Sequence, residues 1–312
     1  MSIQAIFFDC GGTLETYRQT RELRIGKVFL LRECLGRVGV AVDWSDEQLV
    51  EVIERGMAAY YAWNYASNIE LPTAEVWTRF HLKSLNLPLS VLTPISEDLA
   101  FIYETQLYIR EMRPEIPEVL EQIKGMGLKI GIVSNTLSLK QVDHSLRSYG
   151  ITDFFDPVVL SSVYGRRKPD PSIFYNAARQ ANVPTGACVF VGDMINKDVY
   201  GARRAGFKTA VQILHPYTRD LEPLLAVPDA IISNMQELIP ILESLTTTET
   251  RAQAVSSKKP VKAFFFDAGD ILYYRPQKDK NLQQFLADKS IFPVKDFERE
   301  VKCLKELAFS GK

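Results

Sequence analysis

Cysteine is scarce in this sequence. Only Cys10, Cys34, Cys188 and Cys303 occur in 312 residues. They lie far apart and form no C-x-x-C pair, so they read as reduced thiols of a cytoplasmic protein. Histidine is scarcer still, and His81, His144 and His215 show no recognisable metal-ligand spacing. Neither sign of charge is in excess, with 37 Lys and Arg against 38 Asp and Glu, so nothing points to a nucleic acid or a membrane surface as partner. No run approaches the ~18–20 apolar residues of a membrane span. The start, Met1-Ser2-Ile3-Gln4, has neither a basic region nor a long apolar one, so no signal peptide is expected. What is present is an apolar content of 46%, that of a globular protein with a full core. The length suits one large domain or two modest ones.

The chain is organised around Ile6-Phe7-Phe8-Asp9-Cys10-Gly11-Gly12-Thr13-Leu14. The apolar run from Ala5 to Phe8 predicts a buried strand of a parallel sheet. It stops on a carboxylate. In an open α/β sheet, ligands sit just past the carboxyl ends of the strands, which is where Asp9 falls. The glycines allow a sharp turn and bring backbone N–H groups close to a bound anion. Alone, this is more simply a strand end with a turn carboxylate. Three further pieces in order change that reading.

Residues 15–113 look helical, with amphipathic stretches over residues 21–36 and 46–66 and no strong strand signal. So long a connection predicts an inserted helical domain, over residues 16–113. Its aromatic residues, Tyr60, Tyr61, Trp63, Tyr65, Trp77 and Phe80, read first as packing residues and second as a substrate-facing wall. Beyond it, a strand over residues 128–133 stops at Ser134-Asn135-Thr136. A proline-stiffened loop, Gly165-Arg166-Arg167-Lys168-Pro169-Asp170-Pro171, places Lys168 just before a helix. A strand over residues 188–191 ends in Gly192-Asp193, with Asp198 five residues later. Two carboxylates so spaced read either as solvated turn residues or as a pair converging on one hard cation, for which Mg²⁺ is suited. Strands over residues 208–214 and from residue 230 complete the predicted sheet.

With these four pieces in order, residues 1 to about 245 resemble the haloacid dehalogenase (HAD) superfamily. The likeness is greatest to the subfamily with a helical cap between the first and second motifs. The resemblance implies an α/β fold: a Rossmann-like parallel sheet core built from residues 1–15 and 114–245, with a helical cap over 16–113. It implies Asp9 as a nucleophile forming an aspartyl-phosphate. It implies Ser134 as the hydroxyl that binds the phosphoryl group, and Lys168 as the cation offsetting the charge of Asp9 and phosphate. Asp9, Asp193, the Gly11 carbonyl and Asp198 would hold Mg²⁺, and Cys10, Gly11, Ser134, Asn135 and Lys168 would cradle the phosphate. The implied activity is Mg²⁺-dependent hydrolysis of a small phosphorylated metabolite. One departure stands out. The residue two after the nucleophile is Gly11, where the common phosphatase pattern has the acid/base Asp, so slow turnover, a substitute group or a good leaving group is implied. The alternatives are a non-catalytic ligand-binding protein and a metal-free 2-haloacid dehalogenase. Arg18, Arg21 and Arg110 are candidate anion contacts, with a solvated surface role the plainer reading.

Residues 246–260 are polar without apolar periodicity and read as a linker. Residues 262–272, Lys-Ala-Phe-Phe-Phe-Asp-Ala-Gly-Asp-Ile-Leu, then repeat the opening stretch. Asp267 falls over Asp9, Gly269 over Gly11 and Ile271 over Thr13. Residues 261–312 read as an incomplete second HAD-like unit, too short to build a second sheet.

Overall fold

A computed structural model describes residues 2–217 and 222–255. The repeat around Asp267 lies outside the described residues.

Six strands form one parallel sheet: β1 (Ala5–Phe8), β4 (Lys129–Ser134), β5 (Val158–Leu160), β6 (Cys188–Gly192), β7 (Thr209–Ile213) and β8 (Ala230–Ile232). Their order is β5-β4-β1-β6-β7-β8, and every pairing is parallel. β1 lies at the centre, between β4 and β6. It is apolar throughout because both faces of the sheet are covered. Its residues alternate between them: Ile6 and Phe8 enter one core with Ile132, Val189 and Val191, while Ala5 and Phe7 enter the other with Val133 and Phe190. The α/β class expected from the motifs is the fold observed.

Between β1 and β4 lies the long insertion. It opens and closes in a two-stranded antiparallel ribbon of β2 (Glu15–Arg18) and β3 (Ile109–Met112). No strand was expected there. Each strand has four residues, and their pairing joins positions nearly a hundred apart, so no local pattern marks them. The helical stretch expected over residues 21–36 is two helices, α1 (Arg21–Lys27) and α2 (Phe29–Gly36), broken at Val28.

The longest helix of the insertion is α3 (Asp46–Ser67). Ser45 and Gln48 form a reciprocal capping box at its start, which satisfies backbone donors that a helix leaves unpaired. Asn68, in the left-handed conformation at φ 54°, ends it. The insertion has its own core, in which Leu31, Leu49, Ile53, Trp77 and Leu99 are fully or nearly fully buried. Tyr60 and Trp77 are packing residues, as expected, whereas Tyr61 and Tyr65 on α3 remain part-exposed. A later helix, α4 (Ser96–Gln106), reaches the loop after β4 through Glu104.

At the other end of the chain, α5 (Leu238–Val255) is helical over the first part of the stretch expected to be a linker. It continues ten residues past Leu245, into the stretch expected over residues 246–260. Its first turns bury Leu238 and Leu242 against the sheet, and a helix once nucleated extends residue by residue.

Candidate active site

The carboxyl ends of β1, β4 and β6 converge, and each carries a residue singled out in the sequence. Asp9 follows β1, Ser134 ends β4, and Asp193 follows β6. Asp9, Asp193 and Asp198 bring carboxylate oxygens within 4.8 Å of one another. Lys168 reaches into the same cluster. Its ammonium lies 2.9 Å from Asp9 Oδ1 and 2.7 Å from Asp198 Oδ1, and its side chain is 1% exposed. Burial would lower the lysine pKa, but Asp198 and Asp9 outweigh it and hold the value above the ordinary one. Lys168 is therefore charged. Asp198 shifts upward, chiefly because burial disfavours its charged form.

Two glycines make the approach possible. Gly12 has φ +85°, which L side chains rarely adopt, and a Cβ there would stand 2.3 Å from Asp193 Oδ2. A Cβ on Gly192 would meet the Asp198 carboxyl carbon at 2.3 Å. Gly12→Ala is expected to destabilise the fold by about 1–2 kcal/mol from the left-handed backbone alone. It should cost more once Asp193 is displaced, and urea unfolding beside wild type checks this.

Cys10 and Asn135 act through their neighbours. The Cys10 side chain is buried in the core, and its N–H donates to Asp9 Oδ1 at 2.7 Å. The Asn135 amide grips the lysine loop: Oδ1 accepts from Lys168 N at 2.8 Å, and Nδ2 donates to Lys168 O at 3.0 Å. Asp170 caps the following helix by accepting from Ser172 N at 2.9 Å.

The insertion supplies residues that no motif announced. Glu70, 4% exposed, pairs with Arg167 and accepts from Ser161 Oγ at 2.6 Å. Beside it, Glu70 N donates to Gly165 O and Arg167 N to Asn68 O, so the insertion backbone pins the loop that carries Lys168. Glu104 on α4 accepts from Thr136 Oγ1, Leu137 N and Ser138 N at 2.8–3.0 Å, fixing the loop after Ser134. Burial raises its pKa, while these donors pull it down.

Arg110 also departs from the plainer expectation. It is not a solvated surface residue but pairs with Glu15, whose side chain is 0% exposed, and Tyr149 Oη donates to the same carboxylate at 2.7 Å. Arg18 and Arg21 are exposed. None of the three histidines joins the carboxylate cluster. His81 is buried against Trp77, and burial lowers its pKa to about 3.

Two adjoining cavities open here. The smaller, of about 130 Å³, is lined by Asp9, Gly11, Ser134, Lys168 and Asp193, with Tyr17, Tyr108 and Arg110 on the insertion side. The larger, of about 430 Å³, is lined by Tyr61, Asn64, Tyr65 and Asn68 of the insertion and by Arg167, Lys168 and Lys197 of the core. A Cβ on Gly11 would lie 3.6 Å from the Tyr17 ring and 3.7 Å from an Arg110 nitrogen. A ring and a cation thus border the place where the common phosphatase pattern has its acid.

The model of the haloacid dehalogenase-like hydrolase family matches residues 3–206. A glyceraldehyde 3-phosphate phosphatase of Methanopyrus kandleri is 29% identical over 246 residues, 78% of this chain and 98% of its own. A protein of the same name from Pyrococcus abyssi is 30% identical over 209 residues, 66% of this chain and 80% of its own. The solved structure of CbbY from Rhodobacter sphaeroides, in complex with phosphate, is 23% identical with a TM-score of 0.51, covering 76% of this chain and 96% of that one. A 2-haloacid dehalogenase from Pseudomonas syringae pv. Tomato is 22% identical with a TM-score of 0.52, covering 78% and 98%. The two structures share the fold. The family match spans β1, the insertion and all four strand-end motifs, and the chain belongs to the haloacid dehalogenase-like hydrolase family.

Proposed function

We propose that the chain is a Mg²⁺-dependent phosphatase of small phosphorylated metabolites that works through an aspartyl-phosphate on Asp9. The observation that carries this reading is the convergence of Asp9, Asp193 and Asp198 on Lys168. One ammonium offsets only part of the repulsion among three such close carboxylates. An all-oxygen donor set of this kind suits a hard divalent cation, and the two glycines leave it room. Asp9, Asp193 and the Gly11 carbonyl would hold the Mg²⁺, with Asp198 steadying Lys168 beside it. When bound, the ion supplies positive charge and orientation to the phosphate oxygens.

Asp9 Oδ1 accepts from Cys10 N and Lys168, which leaves Oδ2 for attack. Oδ2 bonds to phosphorus as the bond from phosphorus to the substrate alcohol oxygen breaks, and that oxygen takes up a proton. Water then attacks the same phosphorus, releasing inorganic phosphate and restoring the carboxylate. Lys168 and the Ser134 hydroxyl stand where charge builds on the transferring group. The named relatives make three-carbon sugar phosphates the first substrates to try. The carboxylate cluster favours this reading over a metal-free dehalogenase.

Gly11 shapes the kinetics. With no carboxylic acid there, the leaving group departs with little help, and general acid catalysis is typically worth ~10²–10⁴-fold. In a series of substituted phenyl and alkyl phosphates assayed with and without Mg²⁺, turnover should require the metal. Its kcat should fall steeply as the leaving-group pKa rises. A flat dependence would place an efficient acid in the site, and metal-independent turnover would overturn the reading.

A further inference from the structure

One wall of the larger cavity carries a buried hydrogen-bond donor that finds no acceptor among the described residues. Tyr61, Asn64, Tyr65 and Asn68 recur at i, i+3, i+4 and i+7 along α3 and its cap, so they share one face, and that face lines the cavity. Asn64 is 3% exposed, and its Nδ2 donates to no acceptor among the described residues. An amide so buried costs free energy unless an acceptor meets it. The core wall adds cations. Arg167 is paired with Glu70, and Lys168 with Asp9 and Asp198. In the smaller cavity Arg110 is paired with Glu15. Lys197 lines both cavities, its ammonium 5.5 Å from the centre of the Tyr65 ring. Among the described residues it is the one cation lining either cavity that forms no ion pair with a carboxylate.

A buried amide donor and a lysine that forms no ion pair among the described residues suit the same kind of ligand, an oxygen acceptor that carries negative charge. We propose that Asn64 and Lys197 form a leaving-group subsite that binds a carboxylate at the end of the substrate remote from its phosphate. The proposal rests on the phosphatase reading for the identity of the substrate but not for the binding itself. Lys197 stands one residue before Asp198, so the same turn orders the carboxylate that holds Lys168 and the specificity cation. Asn64 comes from the insertion. The subsite is therefore complete only when α3 is docked beside the turn that carries Lys197. The substrate class is a short phosphorylated hydroxy acid.

The test is binding rather than turnover. Asp9→Asn protein with Mg²⁺ is titrated calorimetrically with 3-phosphoglycerate, glycerol 3-phosphate and inorganic phosphate. The first two share a three-carbon frame and differ in whether the far end is a carboxylate or an alcohol. We expect 3-phosphoglycerate to bind roughly 10- to 100-fold more tightly than glycerol 3-phosphate, the range of a charge-assisted hydrogen bond. Lys197→Met, made in the same background, should bring that ratio close to one. Asn64→Leu should reduce it by a smaller factor, and Lys197→Arg should keep most of it. Equal affinity for the two three-carbon ligands before any subsite substitution overturns the proposal. So does an equal loss of all three ligands in Lys197→Met, which would make Lys197 a phosphate contact, and so does binding of none of them. The phosphatase reading is judged separately, by Mg²⁺-dependent hydrolysis of p-nitrophenyl phosphate by the unsubstituted protein.

Discussion

Asp9→Asn is expected to lower Mg²⁺-dependent turnover of p-nitrophenyl phosphate by roughly 10³-fold or more, in the range seen when a nucleophile is removed. An amide neither attacks phosphorus nor carries the charge that draws Lys168 into place. The fold should survive, because Lys168 keeps its contact with Asp198 at 2.7 Å. Circular dichroism and thermal unfolding should therefore match wild type while kcat collapses. Turnover within about tenfold of wild type would remove Asp9 from the chemistry.

Lys168→Met should be the more damaging substitution to stability. Lys168 and Asp198 each have 1% of the side chain exposed, and the ammonium stands between Asp198 and Asp9. Removing one partner of a buried pair strands the other charge, at a typical cost of about 3–5 kcal/mol. The sign of the pH dependence follows from Asp198. Burial already raises its pKa, so its folded form binds a proton that the unfolded form releases, and stability falls as pH rises between the two values. Without the lysine that upward shift grows. The stability gap between variant and wild type, read by urea unfolding, should therefore narrow as pH falls from about 8 towards 5, across the raised range of a buried carboxyl. A gap independent of pH would contradict this account. In activity, the loss of a positioned charge beside the transferring phosphoryl group should lower kcat by roughly 10²–10³-fold.

The convergence of the candidate site residues was legible in the sequence because its information is local. Each strand of the sheet interior is a continuous apolar run, and the residues at its end reach the same edge whatever happens between runs. Asp9, Ser134 and Asp193 are read this way, and the carboxyl-end rule brings them together. Asp198 follows within a turn of β6, and Lys168 lies in the proline-stiffened loop beyond β5.

What was not legible depends on docking. Glu70 and Glu104 look like ordinary helix-flanking carboxylates until the insertion sets them against Arg167 and the 136–138 loop. Arg110 looks like a solvated residue until β3 pairs with β2 and places it against Glu15. β2 and β3 are too short to show a period. Asn64 lies in no motif and Lys197 sits inside the Asp193–Asp198 segment without a role in it; their significance is a missing acceptor for one and a missing ion pair for the other, which a sequence does not record. The helix from Leu238 to Val255 runs into the expected linker because its apolar anchors lie at one end and its polar extension carries none.

The most direct test of the central claim is acid quench of the wild-type protein during turnover of p-nitrophenyl phosphate with Mg²⁺, followed by mass spectrometry of the peptide containing residues 1–18. A phosphoryl group is expected on Asp9, present with substrate and metal together and absent when either is omitted. Turnover under the same conditions with Asp9 unmodified and the phosphoryl group on another residue would contradict it.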